Sequence, residues 1–212
     1  MSLTTLPNLP LKILVVGDPH SGKSSFINTL LKFFNPNIMV ETCDVGRKAE
    51  VGTLLYESVP VSSANLLLFD SAGKPFENPD DLNTLKLILQ GIKTGTNLVE
   101  NYLTNKIDLD NRIDAVIFVC RACEWNSVSL QKFVKFQNAV KETDVKGLPF
   151  NPMIVLTHFT ESMSEKQFVD KVTNAVPFAF LDNPKDLSKD LKPQVMEACK
   201  RISRQFKAWG FF

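Results

Sequence analysis

Gly17-Asp-Pro-His-Ser-Gly22-Lys23-Ser24 decides the reading of this chain. It stands between an apolar strand, Leu11 to Val16, and a segment whose residues Phe26, Ile27, Leu30, Leu31 and Phe34 recur at helical spacing. That setting gives the pattern G-x-x-x-x-G-K-S its meaning. A strand delivers the loop, glycines let backbone amides turn inward, and the following helix points its positive end at an anion. Lys23 then reaches the outer phosphates of a nucleotide, and the Ser24 hydroxyl sits on a magnesium ion. Gly17, Asp18, His20, Ser21, Gly22 and Ser25 complete the expected phosphate-binding set. The bland alternative, a glycine-bearing turn that binds nothing, is disfavoured by the flanking strand and helix.

Moving outward, Gly52 to Val61 and Ala64 to Asp70 read as strands, and the short Ser62-Ser63 link predicts an antiparallel pair. Asp80 to Asn105 carries helical apolar spacing, but Gly91 and Gly95 divide it into two pieces. Ile113 to Cys120 is a buried strand, Ser127 to Thr143 a helix, Met153 to Leu156 a strand, and Glu165 to Ala175 a short helix. Val176 to Leu181 is the last strand. The final helix starts at Pro193, with Val195, Cys199, Ile202, Phe206 and Trp209 on one stripe. The alternation predicts an α/β, three-layer fold. Its sheet is mostly parallel and six-stranded, with one antiparallel edge strand and helices on both faces. Residues 1–10 read as an N-terminal arm and 11–212 as a single domain, with a helical insert over residues 80–110.

A length of 212 residues suits one such domain, and 44% hydrophobic with 22% charged residues suits a chain with a substantial core. The formal charge of +1 argues against a nucleic-acid partner. No apolar run is long enough to cross a bilayer, and the opening Met-Ser-Leu-Thr-Thr-Leu lacks the pattern of a secretion signal. Cys120 and Cys123 form a C-x-x-C without further metal ligands at compatible spacing; with Cys43 and Cys199 they read as reduced, partly buried thiols. A cytoplasmic location is the expectation. The basic residues Lys200, Arg201, Arg204 and Lys207 beside the final apolar stripe allow a membrane-surface helix. A last helix covering the sheet is the preferred reading.

Further motifs follow from the strand order. Leu67-Leu-Phe-Asp70 closes an apolar strand with a carboxylate at the sheet's carboxyl edge, where it can hold a magnesium-bound water. The run continues Asp70-Ser-Ala-Gly73, a D-x-x-G whose glycine amide would sense a terminal phosphate. A threonine before the second strand should close over the metal. Thr53 is the first choice and Thr42 the alternative, with a plain surface hydroxyl as the competing reading of each.

Asn105-Lys-Ile-Asp108 spells the N-K-x-D that reads guanine, yet it precedes the strand Ile113 to Cys120, where the topology does not place a base-reading loop. It is read as a decoy. The correctly placed stretch is Val155 to Glu161, in which Thr157 and His158 take the places of asparagine and lysine. An imidazole is flat enough to stack on a purine. Thr160 stands where an aspartate is expected, which weakens guanine selectivity because a hydroxyl cannot accept two hydrogen bonds as a carboxylate does. Asn183, after the last strand, completes the expected base pocket.

These residues resemble the septin-like, dynamin-related branch of P-loop GTPases, and within it the G domain of the interferon-induced protein 44 family. The likeness is carried by Gly22-Lys-Ser-Ser-Phe-Ile-Asn28, by the helical insert containing Gly91, and by Thr157-His158 in place of Asn-Lys; it spans Leu11 to Asn183. It implies a Ras-like G domain binding GTP or GDP with Mg2+, and homodimerisation across the nucleotide face. Where Ras-like enzymes place a water-orienting glutamine, this chain has Lys74, which donates but cannot accept. The expectation is slow hydrolysis carried by Lys23, Thr53 and His20, in a nucleotide-dependent switch or assembly module. The alternatives are a non-hydrolysing scaffold and an ATP-using P-loop enzyme.

Overall fold

A period of two along three central strands builds the core. Leu11, Ile13 and Val15, with Ala115, Ile117 and Val119 and with Met153 and Val155, face one side of the sheet. Leu14 and Val16, with Val116, Phe118 and Cys120 and with Ile154 and Leu156, face the other. Strands apolar on both faces must be covered on both, which favours parallel pairing with crossover helices. The computed structural model of the chain describes residues 9–38, 43, 57–71, 79–92, 109–124, 127–142, 152–158, 178–184 and 186–208. The expected helix Glu165 to Ala175, and residues 93–108, which include Gly95 and Asn105 to Asp108, lie outside those residues.

The sheet contains β1 (Leu11–Gly17), β2 (Glu57–Val61), β3 (Leu66–Asp70), β4 (Ala115–Arg121), β5 (Met153–Thr157) and β6 (Phe178–Leu181), in the order β2-β3-β1-β4-β5-β6. Every pairing is parallel except β2 with β3, where Val59 opposes Leu68 and Val61 opposes Leu66. The expected fold is the observed one. Residues 52–56 of the expected second strand lie outside the described residues; β2 itself carries Pro60 exposed, which an edge strand tolerates because its outer amides need no partner.

Helices α1 (Lys23–Phe34) and α4 (Pro193–Ala208) cover one face, and α2 (Pro79–Gly91) and α3 (Ser127–Glu142) the other. On α4, Val195, Cys199, Ile202 and Phe206 recur at i, i+4, i+7 and i+11 and are all buried. The apolar stripe of the last helix is therefore spent on the sheet. Burial pushes the Cys199 thiol up to about 12, so it stays protonated. Cys43 and Cys120 are also buried and Cys123 is exposed, and all four are free thiols. Helix α2 stops at Gly91, which takes φ 101, a conformation that favours glycine. Under α3, Phe118, Phe133 and Phe136 meet with ring centroids 5.2–6.1 Å apart, edge-on or tilted. Such ring pairs add about 0.5–1.5 kcal/mol each beyond burial.

Strand β1 lies between β3 and β4, so successive connections leave it in opposite directions. A crevice opens at the carboxyl ends of strands on either side of such a switch point. The Gly17–Ser24 loop emerges there.

Candidate functional site

The loop's shape begins with a steric demand at Gly17. Its φ is 151, and a Cβ at this position would lie 2.0 Å from the Val119 carbonyl oxygen, far inside contact distance. Only glycine lets β1 run this close to β4. The Ser21 amide then donates to the Asp18 carbonyl at 3.2 Å, closing a turn in which His20 takes φ 58. Gly22 (φ 90) precedes α1, and the Phe26 amide donates to its carbonyl at 2.8 Å. Among the described residues no side chain caps α1, and no acidic residue occupies its first turn, an amino end suited to face an anion.

Lys23 folds back over this loop. Its Nζ donates to the Gly17 carbonyl at 3.3 Å and the Asp18 carbonyl at 3.0 Å, and the residue is only 6% exposed. Burial pushes its pKa down from 10.5 to about 8, while the carboxylates of Asp70 and Asp18 pull it partly back up. The ammonium is therefore desolvated before any ligand arrives. Beside it, the Ser24 hydroxyl donates to Asp70 Oδ2 at 2.7 Å. Two hard oxygen donors this close at the mouth of a phosphate loop fit Mg2+, which takes one or two protein oxygens and fills the rest of its shell with waters and phosphate. No cluster of three or more acidic, histidine or cysteine ligands exists among the described residues.

The strand ends β5 and β6 deliver the next groups. Thr157 is fully buried, and its hydroxyl donates to the Ser21 carbonyl at 2.6 Å. His158 follows, exposed, with φ 53. Asn183 donates from Nδ2 to the Gly22 carbonyl at 3.4 Å and accepts at Oδ1 from Thr29 at 3.2 Å. His20 is exposed at the rim, and Ser25, in the first turn of α1, offers its carbonyl to Thr29. Gly17, Asp18, Ser21, Gly22, Lys23, Ser24, Asp70, Thr157 and Asn183 thus converge. Thr53, its alternative Thr42, Gly73, Lys74, Thr160 and Glu161 lie outside the described residues.

Four participants were not singled out from sequence. Arg121, at the end of β4, donates from Nε to the His20 carbonyl at 2.9 Å and pairs with Glu124 at 3.2 Å. Lys132 on α3 lies 3.6 Å from Asp18 Oδ2. Thr29 backs Asn183. Asn28 brackets the Cys43 backbone, donating to its carbonyl at 3.0 Å and accepting from its amide at 2.9 Å. A charge closing an apolar strand flags Arg121; nothing in helical periodicity flags Lys132. Replacing Asn28 by alanine removes two buried hydrogen bonds, each worth about 1 kcal/mol net. We expect amide exchange at Cys43 to accelerate at least about tenfold, read by hydrogen–deuterium exchange, with α4 unaffected.

This loop, its lysine and the strand-end aspartate bear directly on the family comparisons. The model of the 50S ribosome-binding GTPase family matches residues 12–157, from β1 to the end of β5. The chain belongs to this GTPase family. Two solved structures resemble the GTPase domain over 94% of its length. One is the G domain of the FeoB iron transporter of T. maritima, at 14% identity, TM-score 0.54 and 98% of that chain. The other is a bacterial selenocysteine-specific elongation factor, EF-Sec, at 12% identity, TM-score 0.50 and 29% of that chain. Identities this low establish the shared fold alone. No curated protein matches the GTPase domain in sequence.

Proposed function

We propose that this domain binds GTP and GDP with Mg2+ and hydrolyses GTP slowly, as a nucleotide-dependent switch or assembly module. The observation that carries the reading is the buried Lys23 ammonium, held over the Gly17 and Asp18 carbonyls beside an uncapped helix end and the Ser24–Asp70 pair. In this reading Lys23 grips the outer phosphates, and Ser24, Asp70 and Thr53 hold the magnesium ion. The ion would offset phosphate charge. Gly73 senses the terminal phosphate, and the exposed His158 stacks on the base. His20, exposed on the loop, assists the transferring phosphate, with a second copy of the chain docked across the nucleotide face as a further source of help.

The finer placement in the septin-like, dynamin-related branch near the interferon-induced protein 44 family rests on Gly22 to Asn28 and on Thr157-His158. The same reading takes 11–212 as one G domain behind an arm at 1–10, acting in the cytoplasm. Among the described residues no helix is long and apolar enough to cross a membrane. Lys74 favours a second reading, a scaffold that binds nucleotide without useful turnover, because lysine cannot orient an attacking water as glutamine does.

Titration with labelled GDP, GTP and ATP in magnesium buffer, followed by phosphate release, tests both readings. We expect guanine nucleotides to bind, with release lost in Lys23→Ala. His20→Ala should slow single-turnover hydrolysis about 100-fold or more, on the scale of general acid–base assistance. Binding without any release selects the scaffold. Absence of binding rejects the proposal.

A further inference from the structure

Two side chains in the loops assigned to the base spend their polar groups elsewhere. Thr157, with no exposed surface, directs its hydroxyl at the Ser21 carbonyl (2.6 Å), with the Cys120 carbonyl more distant at 3.3 Å. Asn183 engages the next carbonyl, that of Gly22, and its Oδ1 lies 3.2 Å from the Thr29 hydroxyl on α1, which shares its one proton with the nearer Ser25 carbonyl at 2.8 Å. The reverse amide orientation would set Oδ1 against the Gly22 carbonyl, so the hydrogen bonds assign this one. A Cβ on Gly22 would lie 3.2 Å from Asn183 Nδ2 and 3.5 Å from Thr157 Oγ1. Both groups therefore close on the same glycine.

Peptide geometry says what this achieves. In a planar trans peptide the carbonyl and the amide hydrogen point in opposite directions. The peptide whose oxygen Thr157 holds carries the Gly22 N–H, and the peptide whose oxygen Asn183 holds carries the Lys23 N–H. We propose that Thr157 and Asn183, backed by Thr29, are positioning residues that aim the Gly22 and Lys23 amides at the phosphates, and that they do not select the base. This rests on the nucleotide-binding reading above and deepens it. Base choice then falls to neighbouring groups, His158 first, whose ring is exposed one residue beyond Thr157.

The test uses the full chain and three probes with Mg2+: inorganic pyrophosphate, GDP and ADP, measured by isothermal titration. Thr157→Val keeps the branched shape and removes the hydroxyl; Asn183→Ala removes the second clamp from a partly exposed position and keeps the test open should the buried valine compromise folding. We expect each to weaken pyrophosphate and GDP by the same factor, about tenfold for a lost buried hydrogen bond, with the GDP-to-ADP preference unchanged. Thr157→Ser should restore binding. Thr29→Val, which touches no ligand, should weaken pyrophosphate by a few-fold, on the scale of one hydrogen bond. Unchanged pyrophosphate binding with a shifted GDP-to-ADP preference would overturn the inference. A wild-type protein that binds none of the probes would overturn the nucleotide reading itself, and this inference with it.

Discussion

Lys23→Met should lose at least about 100-fold in affinity for a nucleoside diphosphate, while the ligand-free protein becomes more stable. The first effect follows from removing the only cation in the loop itself, since hydrogen bonds to charged groups are worth about 1.5–3 kcal/mol each and an ammonium donates more than one. The second follows from its burial. The folded pKa, about 8, lies below the ordinary 10.5, so the unfolded chain holds this proton more tightly than the folded one. At neutral pH that difference costs the fold about 3 kcal/mol, at 1.36 kcal/mol per pH unit.

The sign of the pH dependence is fixed by the same numbers. The penalty is full below pH 8 and shrinks as pH rises from about 8 towards 10.5. Ligand-free wild type should therefore gain stability across that window, and Lys23→Met should lack that gain. Binding runs the other way: the protonated form attracts phosphate, so affinity should decline above pH 8 by up to about tenfold per unit. Urea melts and nucleotide titrations at matched pH check both halves. Equal pH profiles for wild type and variant would mean that Lys23 is not the desolvated cation described.

Gly17→Ala should damage the fold more than an added methyl at Gly22. At φ 151 the alanine backbone is strained, and its Cβ would lie 2.0 Å from the Val119 oxygen, a main-chain atom that cannot swing aside. Relief requires β1 and β4 to separate at the centre of the sheet, where Val15 pairs with Ile117 and Gly17 with Val119. Overpacking of this kind costs about 1–3 kcal/mol and more when backbone must move. For a chain of this size about 4 kcal/mol lowers melting by roughly 8–16 °C. Thermal unfolding followed by circular dichroism measures it. A fall under a few degrees would show that the two strands have slack.

The phosphate loop, the strand order around it and the two-faced core were legible because each rests on local signals: glycines at fixed spacing, alternating apolar residues, a carboxylate closing a strand. Asp70 was found this way, and the structure sets it against Ser24. The roles of Thr157 and Asn183 were not legible. Sequence order placed both near a base, but which backbone carbonyl each hydroxyl or amide meets depends on how β5 and β6 stack beside α1. Lys132 was invisible for a similar reason. It is separated from Asp18 by more than a hundred residues, and only the crossover to α3 brings the two charges within 3.6 Å.

The grips on the phosphate loop come from five separate elements: Arg121 ending β4, Lys132 on α3, Thr157 ending β5, Asn183 beyond β6 and Thr29 on α1. Its conformation is thus settled during folding, and an arriving anion finds little backbone freedom left to extinguish. Association should then proceed with small entropic loss and little rearrangement of the cradle. What the polypeptide spends in making so contorted a bend is recovered as readiness.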